Sequence, residues 1–300
     1  MSQQKIILIG GPTASGKSAL ALDLAQKNCG IIINADAMQI YEGLPILTAQ
    51  PTSAERREIP HELYGVLDAA EASSAGKWLA LATDAITRTF AAGRTPILVG
   101  GTGLYFRALL GGLAEIPPIP DEVRAETVRL YDHSGEEKFR ERLARLDSDS
   151  AQRLARNDRQ RLIRAYEVAV HTGRTLGEWH EKGDKGMKEK GGFCIPSIPH
   201  SLIPQTHLLL PERETLYAAC DQRFLGMIDR GAIEEVKTIL KRGLDPGLPA
   251  MKTIGVREIA AYLKGELSLD EAIAKAQQAT RNYAKRQVTW FKNQRFGSQD

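Results

Sequence analysis

The chain has 300 residues, of which 42% are hydrophobic and 26% charged, and a net charge of +3. That length suggests about two domains, the apolar share excludes a wholly disordered chain, and near-balanced charge excludes a partner chosen by bulk electrostatics alone. Residues 1–115 carry 9 basic and 10 acidic side chains, so any electropositive surface belongs to residues 116–300.

In chain order, Lys5 to Ile9, Ile31 to Asn34 and Pro96 to Val99 are short apolar runs that end in small or polar residues. Lys17 to Lys27 and Lys77 to Ala92, rich in Ala and Leu, read as helices between them. This alternation predicts an α/β fold with a parallel sheet covered by helices, and ligands at the carboxyl ends of its strands. Glu-Ile-Pro-Pro-Ile-Pro over 115–120 interrupts the rhythm. Asp121 to Tyr131, Gly135 to Asp147, Ser150 to Leu154 and Arg159 to His171 then read as an inserted helical unit. Gly, Lys and Pro from Glu181 to Pro204 predict an irregular connection. Thr206 to Leu210 reads as a returning strand, followed by helices over Pro211 to Cys220, Asp221 to Arg242, Gly255 to Gly265 and Ser268 to Gln294. The expected division is 1–115 as the first part of a catalytic core, 116–204 as a helical insertion and 205–300 as the part completing the core.

Cys29, Cys194 and Cys220 are odd in number and widely spaced, which supports neither a disulfide framework nor a CxxC metal site and fits a reducing cytoplasm. Ile6 to Ile9 is too brief for a signal-peptide apolar region, and no window reaches ~18 apolar residues, so no membrane partner is expected.

Gly11-Pro12-Thr13-Ala14-Ser15-Gly16-Lys17-Ser18 fits G-x-x-x-x-G-K-[ST] between a predicted strand and a predicted helix. Glycines let successive N–H groups turn inward, and the helix amino terminus adds a positive end, so phosphate oxygens can be satisfied together. Lys17 would place a charge on a diphosphate and Ser18 a hydroxyl on Mg²⁺. The competing reading, a Gly/Ser turn with a surface lysine, is weighed down by the strand and helix context. A nucleoside triphosphate is the usual guest, but a kinase or hydrolase would want a Mg²⁺-binding Asp at the end of a long apolar strand. Pro96 to Val99 ends instead in Gly100-Gly-Thr-Gly103. That lowers the alternative of a small-molecule kinase or NTPase without removing it.

Asp36 follows the second predicted strand on the side expected for the phosphate loop. It could serve as a general base, or as a helix cap or loop residue, and spacing leaves both open. Gln39 could read a base edge or solvate a loop.

These blocks, with Asp36-Ala-Met-Gln-Ile-Tyr41, Ile59-Pro-His61, Ser74-Ala-Gly-Lys-Trp78, Gly100-Gly-Thr-Gly-Leu-Tyr105, Asp158-Arg-Gln-Arg-Leu-Ile-Arg164, Asp221-Gln-Arg-Phe224 and the run Thr280 to Phe291, resemble the tRNA dimethylallyltransferases along nearly the whole chain. The resemblance implies transfer of a five-carbon group from dimethylallyl diphosphate to N6 of the adenosine on the 3′ side of a tRNA anticodon, with the phosphate loop holding the donor's diphosphate. It implies Asp36 as general base, Thr102 beside the reacting adenosine and Arg223 on the leaving diphosphate. It also implies tRNA contacts at Asp36, Ala37, Met38, Gln39, Thr102, Arg124 and the run Gln160, Arg161, Leu162, Ile163, Arg164. One departure is Ala37, where the family usually has Ser, so something else must replace that hydroxyl. Eukaryotic members carry a zinc finger beyond the catalytic region, and none is expected here.

Arg281, Lys285, Val288, Lys292 and Arg295 recur at spacings of 4, 3, 4 and 3, and residues 272–299 contain no acid. They read as a solvated face or, together with the arginines of 153–164, as a stripe for the backbone of the anticodon stem-loop, with Tyr283, Trp290 and Phe291 turned to core or bases. A monomer is expected. Two further readings stay open: an RNA-binding switch with a regulatory nucleotide, and an enzyme that prenylates free adenine nucleotides, against which the basic tracts argue.

Overall fold

The computed structural model describes residues 5–114, 116–181 and 204–293. Most of the connection expected between Glu181 and Pro204 lies outside them, as do Cys194 and Arg295. Two compact units form, one drawn from Met1–Leu109 and Ile195–Asp300, the other from Leu110–Cys194.

The first unit is built on a five-stranded sheet: β1 (Ile7–Gly10), β2 (Gly30–Asn34), β3 (His61–Glu62), β4 (Thr95–Gly100) and β5 (Gln205–Leu208). Their order is β3-β2-β4-β1-β5 and each pairing is parallel, as the α/β reading expects. β1 and β2 are buried along their whole length. Their apolar runs without alternation reflect burial on both faces. Ile7, Ile9, Ile32 and Ile97 meet Ala21 and Ala25 of the helix Lys17–Lys27 in one cluster, and each fully buried Ile contributes about 1.5–3 kcal/mol relative to exposure. Small alanines let that helix lie close to the sheet.

On the helix Ala75–Ala91, Ser74 accepts a hydrogen bond from the Lys77 N–H as N-cap, and Trp78, Ala82, Ala85, Ile86 and Thr89 form the buried face. Further elements went unexpected, among them the two-residue β3, the helix Gly103–Gly111 and the short helix Ser53–Glu58. The first is too short to show a period, and the second starts from a glycine-rich segment that reads as loop. Near the carboxyl end, the helix expected to break at Cys220 runs unbroken over Arg213–Asp229. The break falls before Ala232–Leu240, where Gly231 adopts φ 99°, a conformation that favours glycine. Val256–Leu263 and the long helix Leu269–Asn293 complete this unit.

The second unit is helical. Asp121–Ala144 spans both segments expected there and is bent at Gly135, whose φ is 73°. It packs with Ser148–Arg153 and Arg159–Thr172 around Phe139, Leu143, Leu162 and Ile163. Among the described residues no helix is long and apolar enough to cross a membrane.

Candidate active site

The carboxyl end of β1 runs into Gly11, whose backbone passes so close to β5's exit that a Cβ there would stand 2.4 Å from the Leu209 carbonyl oxygen. The loop then turns through Ala14 (φ 61°) and Gly16 (φ 88°) into the helix Lys17–Lys27. Gly16 provides no side-chain cap, which leaves the helix's first N–H groups to be satisfied by something else. The Ser15 hydroxyl is buried without a hydrogen-bond partner. Uncapped amides and an unpartnered hydroxyl at a helix amino terminus suit an anion. A cavity of about 310 Å³ opens there, lined by residues 14–19 of the loop and by Ala219 and Arg223 of Arg213–Asp229. The resemblance implied that Arg223 and Lys17 meet on one diphosphate, and the structure brings both cations to one cavity.

The loop's residues are not equivalent. Pro12 has no N–H, and its carbonyl accepts from the Lys17 ammonium. The Thr13 N–H donates to Gln287 Oε1 at 2.8 Å, so that amide is turned away from any phosphate and Thr13 keeps only its hydroxyl for one. Of the loop positions expected to bind diphosphate, Pro12 and Thr13 thus offer no free N–H.

Enclosure lowers the Lys17 pKa from 10.5 to about 7; the Asp36 carboxylate opposes this and the Arg223 guanidinium reinforces it. Burial likewise lowers Arg223, again opposed by Asp36. A bound anion would draw a proton onto Lys17 above pH 7. Calorimetry with inorganic pyrophosphate at pH 8, in buffers of different ionisation enthalpy, should register proton uptake that Lys17→Arg lacks, because arginine does not titrate there. Affinity should fall as pH rises through and above 7. Equal proton balance in the two proteins would refute a neutral free Lys17.

Asp36 is placed by its neighbours' hydrogen bonds. Asn34, fully buried at the end of β2, accepts the Asp36 N–H at 2.8 Å and donates to the carbonyls of Asp36 and Leu63 at 2.9 and 3.0 Å. The Trp78 indole N–H donates to the Asn34 carbonyl at 2.8 Å, and Trp78 stacks on Tyr105 at 4.2 Å. Asp36 Oδ1 accepts the Met38 N–H at 2.9 Å. The loop role and the catalytic role are thus compatible, since that bond orients the carboxylate. The Ala37 N–H donates to the Thr102 hydroxyl at 2.9 Å. Thr102 therefore braces the Asp36 loop through a backbone amide that is available whether residue 37 is Ala or Ser. Burial, with the Asp36 charge as a further cause, raises the phenols of Tyr64, Tyr105 and Tyr283, Tyr105 to about 12. Each stays a neutral hydroxyl around the carboxylate.

Gln39 donates to the carbonyls of Thr48 and Ala49 at 2.8 and 2.9 Å, so the structure gives its amide a loop-bracing role. Met38 Sδ accepts from the Thr253 hydroxyl at 3.6 Å. At the end of β4, a Cβ on Gly100 would fall 2.0 Å from the Ala35 carbonyl oxygen. No carboxylate can occupy the position where a kinase would place one.

The basic residues divide on inspection. In the second unit, Gln160 and Arg161 are exposed, whereas Leu162 and Ile163 are core side chains. This corrects their reading as side-chain contacts for RNA: apolar burial claims the inward positions of that helix. Arg124 and Arg164 both bind Glu167, which is fully buried, at 3.2 and 2.7 Å. In the first unit Lys285 and Lys292 are exposed, and Arg281 is held to Asp221 at 2.5 Å.

Fold and site together define a phosphate-loop α/β enzyme with a carboxylate beside the anion cradle. The chain belongs to the IPP transferase family, whose sequence model matches residues 39–294, while a second model, isopentenyl transferase, matches residues 4–70. It is 52% identical over 289 residues to the tRNA dimethylallyltransferase of Rhodospirillum centenum, covering 96% of this chain and 88% of that one. Among solved structures it is similar to a tRNA isopentenylpyrophosphate transferase from Bacillus halodurans, with 32% identity, a TM-score of 0.66 and coverage of 98% and 88%. A eukaryotic dimethylallyltransferase acting on tRNA aligns at 28% identity with a TM-score of 0.78, over 96% of this chain and 70% of that one.

Proposed function

We propose that the chain transfers the dimethylallyl group of dimethylallyl diphosphate to N6 of the adenosine 3′-adjacent to a tRNA anticodon, releasing diphosphate. The observation that carries this reading is that the cavity lined by Lys17 and Arg223 and the loop carrying Asp36 follow the carboxyl ends of β1 and β2 in one parallel sheet. A donor diphosphate held there would leave its reacting carbon to face the carboxylate across the ends of the strands. The family relatives named above support the same reaction.

As the C1–O bond of the donor breaks, its electron pair leaves with the diphosphate, and Lys17, Arg223 and the loop amides meet the growing negative charge with preorganised positive potential. N6 forms the new bond to C1 and gives its proton to Asp36. Thr102 holds the Asp36 loop through the Ala37 N–H, so the carboxylate stays fixed while the base enters. The target base leaves its stack to do so, at a cost of a few kcal/mol. RNA itself closes the pocket against water.

Mg²⁺ fits the donor set: Ser18 lines the cavity with a neutral hydroxyl, and phosphate oxygens and water would complete the shell this cation prefers. When bound, it would neutralise further charge on the leaving group.

For tRNA, the exposed Arg161, Gln160 and the Arg124–Arg164 pair of the second unit, with Lys285 and Lys292 of the first, would contact the stem-loop backbone, and Arg281 would do so through its remaining donors. Replacing Lys285 and Lys292 together by Ala should reduce the slope of log affinity against log salt by ~1–2, about one for each phosphate no longer neutralised. An unchanged slope would remove them from the interface. The enzyme would act in the cytoplasm as a monomer. Incubation with labelled dimethylallyl diphosphate and unmodified tRNA, followed by mapping of the label, tests the whole reading. ATP turnover without prenyl transfer would favour a kinase or NTPase, and label outside the anticodon-adjacent adenosine would reject the assigned target.

A further inference from the structure

The helix Leu269–Asn293 lies across the carboxyl ends of β1 and β4, and glycines make room for it. A Cβ on Gly10 would sit 2.8 Å from the Phe291 ring, one on Gly101 2.1 Å from Gln287 Nε2, and one on Gly103 2.2 Å from the Trp290 ring. One turn before those aromatic residues the same helix carries one buried carboxamide. Gln287, about 5% exposed, accepts the Thr13 N–H at 2.8 Å and donates to the Gly101 carbonyl at 2.9 Å. The carbonyl of the same residue, Thr13, accepts from the Cys220 thiol at 4.0 Å. Next to Gly101, Thr102 accepts the Ala37 N–H and its own N–H donates to the Ala35 carbonyl at 3.3 Å. An unbroken series of hydrogen bonds and chain neighbours therefore leads from the phosphate loop through Gln287 to the residues on either side of Asp36.

We infer that Gln287 is a positioning residue for the transfer reaction: its carboxamide ties the phosphate loop to the Gly101–Thr102 segment and so sets the spacing between the leaving diphosphate and the Asp36 carboxylate. This rests on the function proposed above. A buried amide is the side chain suited to the task, because it offers a donor at one end and an acceptor at the other without adding charge beside an anion. An apolar residue of equal volume would leave an N–H and a C=O unpaired and both loops free to shift.

Three variants test it: Gln287→Met, which keeps the volume and removes both polar ends; Gly101→Ala, whose methyl displaces the carboxamide; and the two combined. With folding checked by circular dichroism, Gln287→Met should lower kcat by on the order of 10²-fold, the loss a misplacement of about 1 Å can cause. It should raise the Kd for inorganic pyrophosphate severalfold and leave KM for tRNA unchanged. The double variant should be no worse than the poorer single one, because both remove the same tie. A merely structural role would lower melting temperature and leave the kcat of the folded enzyme and its pyrophosphate Kd intact. Folded Gln287→Met with wild-type kcat and pyrophosphate affinity, or losses that multiply in the double variant, would overturn the inference. If Gln287→Met does not fold, Gly101→Ala alone decides by the same two readouts. A wild-type chain that binds pyrophosphate yet prenylates no RNA would instead defeat the proposed function, and the tie would then stand or fall on pyrophosphate affinity.

Discussion

Asp36→Asn is expected to keep wild-type tRNA affinity while kcat drops about 10²- to 10⁴-fold, the usual contribution of a positioned general base. The amide can accept the Met38 N–H that the carboxylate accepts now, and the Asn34 bonds to the Asp36 backbone do not depend on this side chain. Loop shape should therefore survive, and the loss isolates proton transfer from N6. A second consequence separates this from a folding defect. The Asp36 charge raises the Lys17 pKa, so its removal should lower it further, and the alkaline decline of pyrophosphate affinity should begin at lower pH than in the wild type. Affinity profiles of the two proteins across pH 5.5–9 measure this. An unchanged kcat would remove Asp36 from the chemistry, and a shift to higher pH would contradict the electrostatic arrangement.

The parts of this site that were legible beforehand are those written in contiguous residues. The run Ile6 to Lys17 carries an apolar strand, a glycine turn and a helix start within one stretch, and each has a local physical signature. Asp36 was legible as a position, one carboxylate just past a buried strand, although spacing alone could not choose between loop cap and base. What remained hidden depends on the meeting of distant segments. Gln287 is 274 residues from Thr13. Its one local sign is an uncharged polar side chain on the buried face of a helix, in line with Ala284 and Phe291, and a search for such residues could have found it. Asn34 read as the polar end of a strand, and only the fold reveals its three bonds to neighbouring backbone. Gly100, Gly101 and Gly103 looked like a departure from a kinase pattern, whereas close approach of Ala35, Gln287 and Trp290 explains them. In the second unit the apolar positions Leu162, Ile163 and Tyr166 already carried a helical period. Reading the run 160–164 as a block concealed that its middle belongs to the core.

Arg223→Ala should cost the donor side what Asp36→Asn costs the acceptor side. Arg223 is partly buried and shares the cavity with Lys17. Its guanidinium keeps its charge despite the lowering by burial, which makes it the cation least dependent on pH at the leaving group. Removing one preorganised donor to a developing anion costs on the order of 10²- to 10³-fold in kcat, so kcat/KM for the donor should fall by at least that factor while KM for tRNA stays near wild type. The pH behaviour should move opposite to that of Asp36→Asn. Arg223 lowers the Lys17 pKa by repulsion; without it Lys17 holds its proton to higher pH, and the alkaline decline should start later. The two variants thus displace one titration in contrary directions, a pattern that general destabilisation cannot produce because it has no sign. Arg223→Lys should recover part of the rate, since it restores a charge but lacks the planar fork that grips two phosphate oxygens together. Wild-type donor kinetics in Arg223→Ala would place the diphosphate elsewhere and, with it, the site of bond cleavage.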